Sequence, residues 1–251
     1  AQVVVYKHGD STDLEEKAQN HQGKRSLIVT DGLFSVDGDI APLPEIVSVA
    51  KKHKMLLMVD DAHATGVLGK SGKGTAEHFG LQNAVDVQMG TLSKALASEG
   101  GFIAGSRDLI DYLVNKARSF IFSTALAPST IAVSLKALEI VQTEPRLRQA
   151  LIDNTLWLRK KLQEAGFTVS HYPTPIISVV LGPPELTMDF SRKLMEKNIF
   201  VSAIRPPTVP QGTSRLRINL MASHTKDDLK RAVDAMTEIG KAMGILNDAQ
   251  R

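Results

Sequence analysis

The sequence predicts an α/β chain built on a mostly parallel sheet, followed by a smaller α+β unit. Three observations carry this. Short β-branched runs alternate with helical stretches between residues 1 and 106, these runs are apolar at consecutive positions, and the pattern changes near residue 144. Alternation of this kind is what βαβ units require, and strands that read as continuous apolar runs belong in a sheet covered on both faces. With 251 residues, 43% of them hydrophobic, the chain is long enough for one large core or a large core with a smaller neighbour.

Taken in order, the strand candidates of the first part are VVVY (3–6), LIVT (27–30), MLLMV (55–59), VDVQM (85–89) and GGFIAG (100–105), with a helix within 43–54. In the second part Thr143 is placed to cap a helix whose first position is Pro145. Leu147, Leu151, Leu158 and Leu162 recur along it at helical spacing, and Gly166 offers the stop. A strand at 176–181, a helix at 186–197, strands at 199–204 and 215–220, and a last helix at 226–243 complete the unit. Thr225 caps that last helix, Asp227 and Asp228 suit the positive end of its dipole, and Leu229, Ala232, Val233, Met236, Ile239 and Met243 form one stripe. Residues 1–143 therefore read as part of a large domain and 144–251 as a small one.

Several function classes are excluded at this level. Thirty Lys plus Arg against 27 Asp plus Glu leave a net charge of +3, scattered rather than gathered, so nucleic acid is not an expected partner. There is no cysteine, hence no disulfide, thiolate metal site or Cys nucleophile. No apolar run approaches the ~20 residues of a spanning helix, and no leader pattern is visible, so a cytoplasmic protein without membrane contact is expected. The start at QVVVY reads as the inside of a strand, which suggests that the chain begins mid-protein. Asp31, Asp37 and Asp39 lack the remainder of a calcium loop, and no metal is expected.

In parallel sheets ligands sit beyond the carboxyl ends of the strands, so the residues after each run carry the functional expectation. MLLMV delivers Asp60, Asp61 and His63, either a solvated Asx-type turn or a chemical cluster. VDVQM runs into Gly90, Thr91, Ser93 and Lys94. A lysine there is either a surface charge or, if desolvated, a neutral amine able to form a Schiff base. An acid such as Asp60 beside a cofactor's pyridine nitrogen would complement it by keeping the ring protonated. Ser35, after LIVT, is either a cap or a hydroxyl at the same sheet edge.

Together TDGLFSVDGD (30–39), VDDAHATGVLG (59–69), GTLSKAL (90–96), GGFIAGS (100–106) and FSTALAP (122–128) resemble, in that order, the α-oxoamine synthases. These are fold type I enzymes dependent on pyridoxal 5′-phosphate, and the resemblance continues through IRPPTVPQGTSRLRINLMASHT (204–225). It implies a homodimeric acyltransferase acting on an amino acid and an acyl thioester. Lys94 would carry the cofactor as a Schiff base, Asp60 would pair with the pyridine nitrogen, and His63 and Ser35 would lie near the ring oxygen. Thr91 would contact the cofactor phosphate, with Ser123 and Thr124 reaching the phosphate in the neighbouring subunit. Arg217 would bind the amino-acid carboxylate through its planar fork, where the residues alone suggest an ion pair on an edge strand. Arg215 is set aside as facing the other way.

The RPPTVP stretch resembles the branch that condenses L-alanine with a pimeloyl thioester, rather than the one joining glycine to acetyl-CoA, which generally lacks it. A non-catalytic module of the same fold would need none of Lys94, Asp60 and His63. Family members are longer, and the missing N-terminal part holds a glycine-rich phosphate segment and a ring-stacking His. The chain by itself is therefore expected to be a weak cofactor binder without turnover, its uncovered surface rearranged or buried in a dimer.

Overall fold

The computed structural model describes residues 1–21 and 25–246. Contacts divide the chain into two compact units, Ala1–Phe34 with Ile40–Pro145 and Ser35–Asp39 with Arg146–Arg251. Residues 35–39 thus belong with the second unit, although their neighbours in sequence belong to the first.

The first unit contains α1 (Ser11–Asn20), β1 (Leu27–Asp31), α2 (Leu43–Lys52), β2 (Leu56–Asp60) and α3 (Thr75–His78). It continues through β3 (Val87–Thr91), β4 (Gly101–Gly105), α4 (Arg107–Lys116), α5 (Arg118–Ile121) and α6 (Pro128–Thr143). The sheet order is β1-β2-β3-β4; the first three strands are parallel and β4 returns antiparallel along β3. Ile28, Leu57 and Val59 point from the sheet into a core closed by Leu14 and Ala18 of α1 and Ile46, Val47 and Val49 of α2. Helix α1 was not expected from the sequence; it starts where the Asp10 carboxylate accepts the amides of Thr12 and Asp13, an N-cap that satisfies donors the helix cannot.

Three expectations are corrected. Residues 3–6 form no strand: Val3 and Val5 are 83% and 79% exposed, because a strand is stabilised only when a neighbour pairs with it. Along β1 and β2 the sheet is not covered on both faces by the described residues either. Leu27, Val29 and Leu56 alternate with the core positions and stay exposed, so these two apolar runs leave one face of their strands bare. Thr143 does not cap the following helix; it ends α6, and its hydroxyl donates to the Glu139 carbonyl one turn back.

In the second unit α7 (Pro145–Glu164), β5 (Ile176–Gly182), α8 (Pro184–Glu196), β6 (Ser202–Ile204), β7 (Ser214–Asn219) and α9 (Lys226–Ala242) follow in order. The strands pair antiparallel in the order β5-β7-β6. Ile177 and Val179 of β5 and Leu216 and Ile218 of β7 share one face, packed on Leu158 and Leu162 of α7, Phe190 and Leu194 of α8, and Met236 and Ile239 of α9. α7 stops at Gly166, which has φ +98, a conformation that favours glycine. α9 opens as expected on Thr225, whose hydroxyl accepts the Asp228 amide at 3.1 Å while the Asp228 carboxylate accepts the Thr225 amide at 3.0 Å. β6 is shorter than the run at 199–204, and Phe200 lies exposed before it.

Candidate active site

The parallel register places Asp31 beside Asp60 and Asp60 beside Met89, so β1, β2 and β3 deliver their following loops to one end of the sheet. The two acids after β2 then separate in role. Asp61 is 2% exposed, its carboxylate accepting the Thr75 amide at 2.9 Å and the Thr75 hydroxyl at 2.6 Å. Its own amide donates to Met89, and its carbonyl receives the Ala64 and Thr65 amides. Burial pushes the Asp61 carboxyl above its ordinary value, the Thr75 hydrogen bonds offset part of this, and the Asp60 charge adds to the rise. Asp60 remains half-buried, with one carboxylate oxygen accepting the Ala62 amide at 2.9 Å. Asp61 is thus committed to holding the loop, while Asp60 and the half-buried His63 lie at the sheet end.

The loop after β3 closes on itself. The Leu92 amide donates to Gly100, the Ser98 amide to Leu92 and the Ala97 amide to Lys94, while Leu96, 1% exposed, anchors it. Thr91 donates its hydroxyl to the Gly100 carbonyl at 3.0 Å, and the Ser93 hydroxyl lies 2.8 Å from that of Thr91. A phosphate contact from Thr91 would therefore require a donor that now closes the loop to be redirected. Lys94 is exposed rather than desolvated, in the loop that Leu96 anchors, so of the two readings left open by the residues it is a surface charge in this chain. Ser123 and Thr124 are likewise exposed beyond α5, and the Ser123 hydroxyl donates to the Ser119 carbonyl.

A second feature of this unit was not read from the sequence. Ser71 and Lys73, in the glycine-rich GKSGKG (69–74), aim their amides as an anion-binding loop would, but both donate to the Glu77 carboxylate, Lys73 at 2.9 Å. The chain supplies its own anion there. No group of three or more His, Cys, Asp or Glu among the described residues is placed to hold a metal ion, and no helix among them is long and apolar enough to cross a membrane.

In the second unit Arg217 is half-buried on β7, and its Nε donates to the Ser35 carbonyl. Burial pulls its guanidinium below the ordinary arginine value, without approaching neutrality. Its terminal nitrogens have no partner among the described residues. Arg217 is also among the residues that line an open cleft of about 430 Å³, together with Phe200, Leu220, Met221, Asp228 and Leu229. Setting Arg215 on the opposite face is corrected. Two residues apart on a strand means the same side, and both arginines lie opposite the core face that holds Leu216. The Arg215 Nη1 pairs with the Asp37 carboxylate.

The chain matches the model of the family described as aminotransferase class I and II over residues 1–236. It is 51% identical over 247 residues to 8-amino-7-oxononanoate synthase of Lysinibacillus sphaericus, a match covering 98% of this chain and 64% of that protein. Among solved structures, serine palmitoyltransferase from S. paucimobilis with a bound PLP-myriocin aldimine superposes with a TM-score of 0.94 at 30% identity, covering 98% of this chain and 63% of that one. An 8-amino-7-oxononanoate synthase from Francisella tularensis gives a TM-score of 0.80 at 29% identity, over 94% and 68% of the two chains. The chain therefore spans less than two thirds of the length of the curated relatives it matches.

Proposed function

Because the chain belongs to the aminotransferase class I and II family, we propose that it forms part of a pyridoxal phosphate-dependent acyltransferase of the α-oxoamine synthase type. Its reaction is the decarboxylative condensation of L-alanine with a pimeloyl thioester to 8-amino-7-oxononanoate, the biotin-pathway step, with loss of carbon dioxide and the thiol. The observation that carries this reading is the joint end of two paired parallel strands. β2 ends in half-buried Asp60, and β3 runs into a pinned loop that presents the exposed amine of Lys94. The choice of alanine and the pimeloyl group rests on relatives about 50% identical that bear the name of that enzyme; the serine palmitoyltransferases are more distant at 30%.

An amine, a carboxylate and an imidazole at one end of the sheet suit a phosphorylated pyridine aldehyde. When bound, pyridoxal phosphate supplies an electron sink for the α-carbon of the amino acid. Lys94 would hold the cofactor covalently, and its amine would serve as the base for the α-proton of the amino acid. Asp60 would favour the protonated pyridine nitrogen by its negative charge. His63 and Ser35 would orient the ring oxygen, while Thr91, with Ser123 and Thr124 across a homodimer, would bind phosphate. Arg217 grips the amino-acid carboxylate with its two free terminal nitrogens, the bidentate match that a guanidinium fork provides.

Borohydride reduction of the cofactor-loaded full-length enzyme followed by peptide mapping tests the lysine. The label is expected on Lys94, and a label on Lys70 or Lys73 would overturn the assignment. Cofactor absorbance titrated with alanine, glycine and serine tests the substrate; a response to glycine with none to alanine would move the reaction to the glycine-using branch.

A further inference from the structure

Segment 35–39 lies along the face of the second sheet opposite its core, joined to it rung by rung. Ser35 and Asp37 are two residues apart, as are Arg217 and Arg215. The Ser35 carbonyl accepts from Nε of Arg217, and the Asp37 carboxylate takes Nη1 of Arg215. One residue on, the Gly38 carbonyl accepts the Thr174 hydroxyl at 2.6 Å. Gly38 itself has φ +71 and lies so close to the chain that a Cβ would strike the Ile176 carbonyl oxygen.

We infer that Asp37, acting through Arg215, is a positioning residue for Arg217, holding the Ser35 carbonyl where it sets the plane of the Arg217 guanidinium. This rests on the reading of Arg217 as the carboxylate-binding arginine. Arg215 is 8% exposed, so its charge must be compensated on the spot, and Asp37 is its carboxylate partner. Its Nε is held by the Thr213 carbonyl at 2.9 Å, which fixes the side chain along its own strand. The pair therefore seats residue 37 at one register position, and the backbone two residues earlier brings the Ser35 carbonyl to Nε of Arg217. With Nε occupied the fork cannot rotate freely, and both terminal nitrogens remain for a planar carboxylate. If the strap lifts, Arg217 keeps its charge but loses its plane, and a two-point grip becomes a one-point attraction.

The test compares the cofactor-loaded full-length enzyme of which this chain forms part with its Asp37→Asn, Asp37→Glu, Arg217→Ala and Asp37→Asn/Arg217→Ala variants. Steady-state constants for alanine and the binding preference for alanine over alaninamide, read from cofactor absorbance, are measured for each. Asp37→Asn is expected to lower the preference for the carboxylate roughly tenfold, the loss of one hydrogen bond to a charged group. KM should rise by a similar factor with kcat little changed, and Asp37→Glu should recover most of the loss. The double variant should be no worse than Arg217→Ala alone. If Arg217→Ala keeps the preference, the carboxylate reading of Arg217 fails. If Arg217→Ala abolishes it while Asp37→Asn leaves it intact, or if the two losses add in the double variant, the positioning role is overturned and the Arg217 reading stands. Should Asp37→Asn fail to fold, Arg215→Lys keeps the charge but not the geometry; an unchanged preference there overturns the role, and a partial loss supports it.

Discussion

Asp60 and Asp61 are chemically identical neighbours that the fold assigns to different work, and substitution should separate them. Asp60→Asn is expected to leave unfolding midpoints unchanged while slowing loss of the α-proton, measured by exchange of the alanine α-hydrogen in the cofactor-loaded full-length enzyme, by roughly 10²–10⁴-fold. Asp61→Ala leaves the Thr75 amide and hydroxyl unsatisfied in the interior, which costs roughly 1–3 kcal/mol of stability in urea unfolding. The pH dependence has a definite sign. The folded Asp61 carboxyl binds its proton more tightly than the unfolded one, whose value lies near 3.8, so its contribution is full below that value and is lost as pH rises to the folded one. Asp61→Asn should flatten that part of the stability profile in the acid range. If Asp61→Asn proved the more damaging to proton exchange, the acids' roles would be reversed.

At the scale of elements, starts and stops follow from local chemistry, and α9 provides the test. Its capping box satisfies amides that no preceding turn can reach, so Thr225→Ala should cost about 1 kcal/mol and lower the thermal midpoint by roughly 2–4 °C. Because α9 contributes Leu229, Met236 and Ile239 to the core of the second unit, the loss should appear in its cooperative unfolding rather than as fraying of one helix. An unchanged midpoint would mean that the box is redundant with packing. The strap at 35–39 is an element of another kind. It has no regular structure, yet two arginine contacts, a threonine hydroxyl and a left-handed glycine hold its register against β5 and β7.

The whole chain carries a sheet with β1 and β4 at its edges and an apolar face on which Leu27, Val29 and Leu56 are exposed. Edges and faces of this kind favour association. The 251-residue chain on its own is expected to take up pyridoxal phosphate weakly and not to turn over alanine with a pimeloyl thioester. Titration with the cofactor, followed by an assay for the product, checks this; stoichiometric uptake together with turnover would show that nothing beyond these residues is needed. Replacing Leu27 and Val29 by threonine should reduce self-association in sedimentation without unfolding the first unit, since neither side chain contributes to its core.

What residue order determined by itself was everything set by neighbours a few positions away: the strands after residues 27, 56, 87, 101, 176 and 214, the cap at Thr225, the stop at Gly166, and the loops that bear Asp60, His63 and Lys94. Period and capping are local, so they survive being read without a structure. The motif resemblance added roles for these residues, which spacing alone left open between chemistry and surface. Only the tertiary structure could decide the rest. Whether VVVY forms a strand depends on a partner, and whether Lys94 is desolvated depends on what covers its loop. That Asp61 serves the fold depends on Thr75, 14 positions on, and the Asp37–Arg215 pair spans 178 positions. Such contacts leave no periodic trace in the sequence, because their energy comes from burial and from charge compensation between segments that meet only after the chain has folded.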